Sequence, residues 1–290
     1  MNAAGNKYAA DCLFVPPVKA AELTSTKAAL VSLPCLTKVD SIAREMEQHG
    51  IERVLLTPCR AGVAVCDRRY LCDDAVTSEL LHHVQRYPRQ FAALAGFNPH
   101  DLECSLAHLE SAIRRGLSGL FVDPRALGLS LLDRRMYPAF AKCSERHRPL
   151  MIAIGPGSTT EPTTFHDLEV LAGDFPNLRI VVACDRWPGV SKLRKTYEGH
   201  DNLNFALDGN VPSGERAEAI AFLTSASIAG RSLWGSNGEG WRTALPRVTA
   251  LHLAPEVERL YLRTNATRIF QLDDSVEARP FELKSVRTAE

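Results

Sequence analysis

The chain has 290 residues, 45% of them hydrophobic and 23% charged, which suits one large α/β domain and excludes a disordered or fibrous protein. Lys+Arg and Asp+Glu both number 34, so the formal net charge is zero and the basic excess of a nucleic-acid binder is missing. Apolar runs such as LMIAI at Leu150–Ile154 are far too short to span a membrane, so no membrane association is expected.

Strand-like and helical stretches alternate along the chain. AADCLFV at Ala9–Val15 reads as a first strand. VDSIAREMEQHG follows as a helix, with Val39, Ile42, Ala43 and Met46 at helical spacing and Gly50 as its stop. IERVLLTP is then a short buried strand ended by Pro58. The unit recurs. AVTSELLHHVQRYPRQF is a helix before the strand AALAGFNP, and LECSLAHLESAIRRG a helix before LSGLFVDP. MYPAFAKCSERHR is a helix before PLMIAIGPG, and FHDLEVLAGDFPN a helix before LRIVVACDRWP. NLNFALDGN is the next strand, SGERAEAIAFLTSAS a helix, RSLWGSNGEG a last strand with its loop, and APEVERLYLRTNATRIFQL a closing helix. The strands are near-continuous apolar runs, as parallel strands covered on both faces are. Eight such strands predict an α/β fold, a (β/α)8 TIM barrel over residues 1–272, with a polar tail at 273–290. No Gly-x-Gly-x-x-Gly turn follows an early strand, which argues against a dinucleotide site in a doubly wound sheet.

The opening MNAAGNKYAADCLF lacks a basic start followed by an apolar stretch, so no secretory leader is expected. The eight cysteines are accordingly read as reduced thiols in a cytoplasmic protein. Cys59, Cys66 and Cys72 crowd together but not at zinc-knuckle spacing.

An α/β barrel carries its site at the C-terminal ends of the strands. The candidates there are Arg60, Asn98, Asp123, Arg125, Arg186, Asp208, Asn210 and Glu239 for ligand binding, with Cys184, Asp185 and Asn237 as catalytic candidates. In order along the chain, GIERVLLTP, YPRQFAALAGFNP, DRRMYPAF, FPNLRIVVA, LWGSNGEG and NATRIFQL resemble the amidohydrolase superfamily, in its amidohydrolase 2 branch of metal-dependent barrel hydrolases and decarboxylases. The resemblance covers most of the chain. It implies a divalent ion held by two His after strand one, a His after strand five, a His after strand six and an Asp after strand eight. Those places here hold Leu13, Val15, Ala153, Cys184 and Asn237. Leu, Val and Ala have no donor atom, Asn is a weak neutral ligand, and one thiolate does not make a site. The nine histidines fall elsewhere. Apart from His100 they sit on predicted helices or outer loops and are read as solvated or capping side chains.

Three readings follow. In the first, the chain is a pseudoenzyme with no metal and no cofactor. It binds a small molecule in the barrel mouth, or it associates with itself or with a catalytic relative, as barrels of this branch commonly associate. In the second, the polar residues at the strand ends run metal-independent hydrolysis or decarboxylation of a small carboxylated or cyclic substrate. A carboxylate would serve as base, an arginine would hold an acid, and Cys184 would be a nucleophile favoured by Arg186. In the third, the chain is a metallohydrolase that recruits ligands from elsewhere, such as Cys12, Cys59, His100, Asp11 or Glu239.

Overall fold

Eight strands run parallel in sequence order: β1 (Ala9–Phe14), β2 (Ile51–Leu56), β3 (Phe91–Ala95), β4 (Gly119–Val122), β5 (Leu150–Ile154), β6 (Ile180–Cys184), β7 (Leu203–Leu207) and β8 (Ser232–Trp234). Each pairs with the next, and β1 also lies against β8, so the sheet curls into the predicted barrel. The computed structural model describes residues 9–14, 39–58, 74–154, 165–184, 187, 189–236 and 241–272, with β1 described by its backbone alone. The predicted tail at 273–290 lies outside the described residues.

The connections carry helices α1 (Val39–His49), α2 (Asp74–Arg86), α3 (Leu102–Arg114), α4 (Pro124–Leu127), α5 (Tyr137–Glu145), α6 (Phe165–Asp174), α7 (Val190–Gly199), α8 (Arg216–Thr224), α9 (Ala226–Ala229) and α10 (Trp241–Thr249). Ile42, Ala43 and Met46 of α1 are buried as their spacing requires, and Gly50 leaves the helix at φ 69°. The closing helix is interrupted. α11 (Pro255–Arg259) passes through a π turn at Leu260–Thr264 into α12 (Asn265–Phe270). Besides the single turn of α4, two longer helices go beyond the sequence reading. In α7, Val190, Leu193 and Tyr197 make an inward stripe, but Lys192, Arg194 and Lys195 between them give the segment a solvated look. In α10, Pro246 stands inside the helix and reads as a breaker.

Strand alternation sorts the sheet's apolar side chains into two layers. Val54, Leu56, Ala93, Leu120, Val122, Ile152, Val182, Phe205 and Trp234 face the helices. Leu55, Leu94, Phe121, Met151, Ala153, Val181, Ala183, Ala206 and Leu233 fill the lumen together with Ala266, Ile269, Phe270 and Leu272. Asn265 Nδ2 donates to the Ala229 and Ser232 carbonyls at the start of β8, both at 2.7 Å. Gln271 Oε1 accepts from Arg148 Nη1, just before β5, at 3.3 Å. α12 and the two residues after it therefore lie beneath the barrel, and their apolar side chains pack against the lumen at the N-terminal end of the strands.

Two histidines depart from the solvated reading. His108 is 8% exposed and shares a 2.7 Å hydrogen bond between its Nε2 and Thr77 Oγ1. His83 of α2 is 5% exposed, and neither ring nitrogen has a hydrogen-bond partner. Glu79 Oε1 stands 3.7 Å from its Nε2. Burial holds His83 below the ordinary 6.5, with His82 and Arg86 adding repulsion and Asp40 opposing it. The folded state thus takes up this proton less readily than the unfolded chain. The group's contribution is whole above 6.5 and is lost as pH falls through its lower folded value. His83→Leu is therefore expected to flatten the acid side of the stability profile between about pH 7 and about pH 5. Urea midpoints measured at both pH values check it, and an unchanged slope would refute it.

Candidate functional site

The strand ends form a mouth whose lumen-facing positions follow from alternation. Two places after Leu55 of β2 comes Thr57, which is 2% exposed and whose Oγ1 has no hydrogen-bond partner. Two places after Phe121 of β4 comes Asp123, 8% exposed, whose carbonyl accepts the Leu127 N–H at 3.2 Å and so opens α4. Two places after Ala206 of β7 comes Asp208, also 8% exposed. Its Oδ1 accepts the Asn210 N–H at 2.8 Å, closing a tight turn over Gly209 at φ 76°. A side chain at Gly209 would meet Val248 Cγ2 at 3.0 Å, so this turn fits against α10 only with glycine.

β5 and β6 face each other differently. Ala153 pairs with Ala183, and both methyl groups point into the lumen. Ile154 pairs with Cys184, and Cys184 packs in the layer between sheet and helices, near Tyr197 of α7. This corrects the placement of Cys184 as a mouth residue: one step along a strand reverses the side chain's face. The Tyr197 hydroxyl donates to the Arg231 carbonyl at 3.0 Å, and burial pushes that phenol up.

Other candidates take local roles or lie elsewhere. Asn98 is half-buried. Its Oδ1 accepts the His100 N–H at 3.1 Å, and its carbonyl accepts the Ser105 hydroxyl at 2.9 Å, so it shapes the entry to α3. His100 is exposed, with Nδ1 3.5 Å from Arg135 Nη1. Arg135 in turn holds Asp133 down to about 2 through side-chain and backbone hydrogen bonds. Asn210 is exposed beside its turn. Arg60, Asp185, Arg186, Asn237, Glu239 and Val15 lie outside the described residues, as do the side chains of Leu13 and Arg125. Among the described residues, no three His, Cys, Asp or Glu side chains are grouped as ligands for a metal ion.

The sequence reading passed over three buried polar residues at strand ends. Thr57 stands in LLTPCR, and counting in twos from Leu55 finds it. Ser236 is fully buried after β8. Trp187 is 9% exposed, and its buried indole Nε1 has no hydrogen-bond partner. An indole N–H stranded in this way has no signature in a single sequence.

A parallel sheet curled into a barrel, with buried carboxylates at the C-terminal ends of its strands, makes this an α/β-barrel protein. A family model described as amidohydrolase matches residues 67–272, more than half of the chain, and the chain belongs to that family. None of the curated proteins matches it. Solved structures share the fold at low identity. An uncharacterized TIM-barrel protein from Bordetella bronchiseptica is 19% identical, with a TM-score of 0.69 over 91% of this chain and 98% of its own. The 2,6-dihydroxybenzoate decarboxylase from Rhizobium is 16% identical, with a TM-score of 0.65 over 91% and 98%. The 5-carboxyvanillate decarboxylase from Novosphingobium aromaticivorans, solved with manganese and 4-hydroxy-3-methoxy-5-nitrobenzoic acid, is 15% identical, with a TM-score of 0.69 over 93% and 98%. Among the described residues, no helix is long and apolar enough to cross a membrane.

Proposed function

We propose that this chain is an amidohydrolase-type barrel that has given up the family's metal ion. It holds a small ligand at its C-terminal mouth, alone or as the partner subunit of a ligand-complete relative. The observation that carries this reading is Ala153. Its methyl group faces the lumen, 7% exposed and in register with Ala183, where the family resemblance places an imidazole. Cys184, the one potential donor among the five corresponding positions with a thiol, faces the helices instead. The donor set does not fit a divalent ion. The setting proposed is a reducing cytoplasm; burial pushes the Cys143 thiol up to about 12, where it is inert.

Elemental analysis of protein purified without chelator, then offered manganese and desalted, tests the reading. Less than roughly a tenth of an equivalent is expected, against the full equivalent of a complete site. One equivalent of bound metal would overturn it.

A second reading is favoured by the buried carboxylates of Asp123 and Asp208 and the unpartnered Thr57 hydroxyl at the mouth. In it, a carboxylate acts as general base in metal-independent hydrolysis or decarboxylation of a small carboxylated or cyclic substrate. Arg60, Arg125 and Arg186 are its candidates for holding the acid. Turnover that persists in chelator and falls roughly 100-fold or more in Asp208→Asn would decide for this reading.

A further inference from the structure

The face of the barrel opposite the mouth carries a cluster of positive charge. Arg148 stands two residues before β5, Arg179 immediately before β6, and Arg268 on α12. Arg179 Nη2 donates to the His147 carbonyl at 2.5 Å, beside Arg148 in the chain. Arg148 Nη1 donates to Gln271 Oε1 at 3.3 Å, one turn beyond Arg268. Arg268 Nη2 donates to the Gly230 carbonyl at 2.7 Å, at the approach to β8. These bonds gather the three guanidinium groups beneath the start of β5, β6 and β8. None of the three forms an ion pair with a carboxylate among the described residues.

An isolated surface arginine without a carboxylate is ordinary. Three together oppose one another. Partial burial and the charges of Arg268 and Arg148 hold Arg179 below the usual guanidinium range, and burial lowers Arg268 as well. Backbone carbonyls take one N–H each from Arg179 and Arg268, and the Gln271 amide oxygen takes one from Arg148, but a guanidinium carries five. Among the described residues, the remaining donors and the shared charge have no acidic partner in this cluster.

We propose that this cluster binds a dianionic phosphate group, free or carried as a monoester by a small metabolite, on the N-terminal face of the barrel. Planar guanidinium forks match tetrahedral oxyanions in bidentate geometry, and a dianion answers converging charge better than a single carboxylate does. A nucleic acid would call for an extended basic stripe and a basic excess, whereas this chain has 34 residues of each sign. Arg268 and Gln271 belong to the segment that closes the lumen, while Arg148 and Arg179 lead into β5 and β6. An anion seated between them ties the floor of the barrel to its walls, so binding is read as stability.

The test is thermal unfolding of the full chain in sodium phosphate and in sodium chloride at the same pH and ionic strength. With 10 mM phosphate, a rise in Tm of roughly 3 °C over chloride is expected. Phenyl phosphate forms the second arm. An equal rise assigns the site to the phosphate group itself, and a larger one to a monoester. Arg179→Gln combined with Arg268→Gln is expected to remove the rise while leaving Tm in chloride unchanged or higher, since repulsion is relieved. If that double variant fails to fold, Arg148→Gln carries the same comparison at a half-buried position. Equal Tm values in phosphate and chloride would overturn the proposal. So would a rise that survives in the variants, which would mark a general salt effect.

Discussion

Gly119→Ala is expected to lower stability by about 2–3 kcal/mol, out of proportion to one methyl group. A Cβ at Gly119 would lie 2.4 Å from the Pro149 carbonyl oxygen, 3.1 Å from Pro149 Cγ and 3.3 Å from Leu94 Cδ2. Backbone must move to admit it, because a proline on one side and a packed leucine on the other leave no flexible chain end to yield. The Pro149 oxygen also accepts the Leu120 N–H at 3.0 Å, the bond that begins the pairing of β4 with β5. Displacing it strains the register Leu120↔Leu150 and with it the position of Asp123 at the far end of the strand. Urea unfolding measures the loss. A midpoint equal to that of the parent chain would show that this crossing is looser than described.

Arg231→Met is expected to cost about 3 kcal/mol, and Arg231→Lys most of that. The guanidinium spends its fork on three carbonyls: Nε to Ser227 at 3.0 Å, Nη1 to His200 at 2.7 Å and Nη2 to Tyr197 at 3.1 Å. Its Cζ also stands 4.7 Å from the centroid of the Tyr197 ring. These carbonyls close the ends of α7 and α9, which have no further turn to receive them. A lysine ammonium is a single point and cannot reach all three. The side chain is 14% exposed, so water replaces the lost partners only in part. Denaturant midpoints of the two variants check the order, and a lysine variant as stable as the parent would assign the effect to charge alone.

Much of this architecture was legible because a parallel strand leaves a coarse mark. FAALA, LMIAI, IVVAC and LNFAL are short apolar runs with helical segments between them, and all eight strands fall where those runs lie. The ends of elements were less legible, since a helix such as α10 contains a proline and α7 hides its inward stripe among lysines. The site was legible only as a set of strand ends. Which residue at each end faces inward depends on a parity that composition does not carry. Asp123 and Asp208 are buried two places beyond lumen-facing residues, Thr57 went unnoticed, and Cys184 packs on the helix side of the sheet. Where a side chain such as the indole of Trp187 lacks a partner, the cause lies in the approach of distant segments, and no local pattern records it.

The segment beneath the lumen has a consequence for traffic. Ile269, Phe270 and Leu272 make the barrel a cup with a greasy bottom and one rim. Among the described residues, the side chains packed together at that depth are hydrocarbon, which offers a polar solute no partner. A molecule held at the mouth would therefore meet this floor and not pass through the barrel.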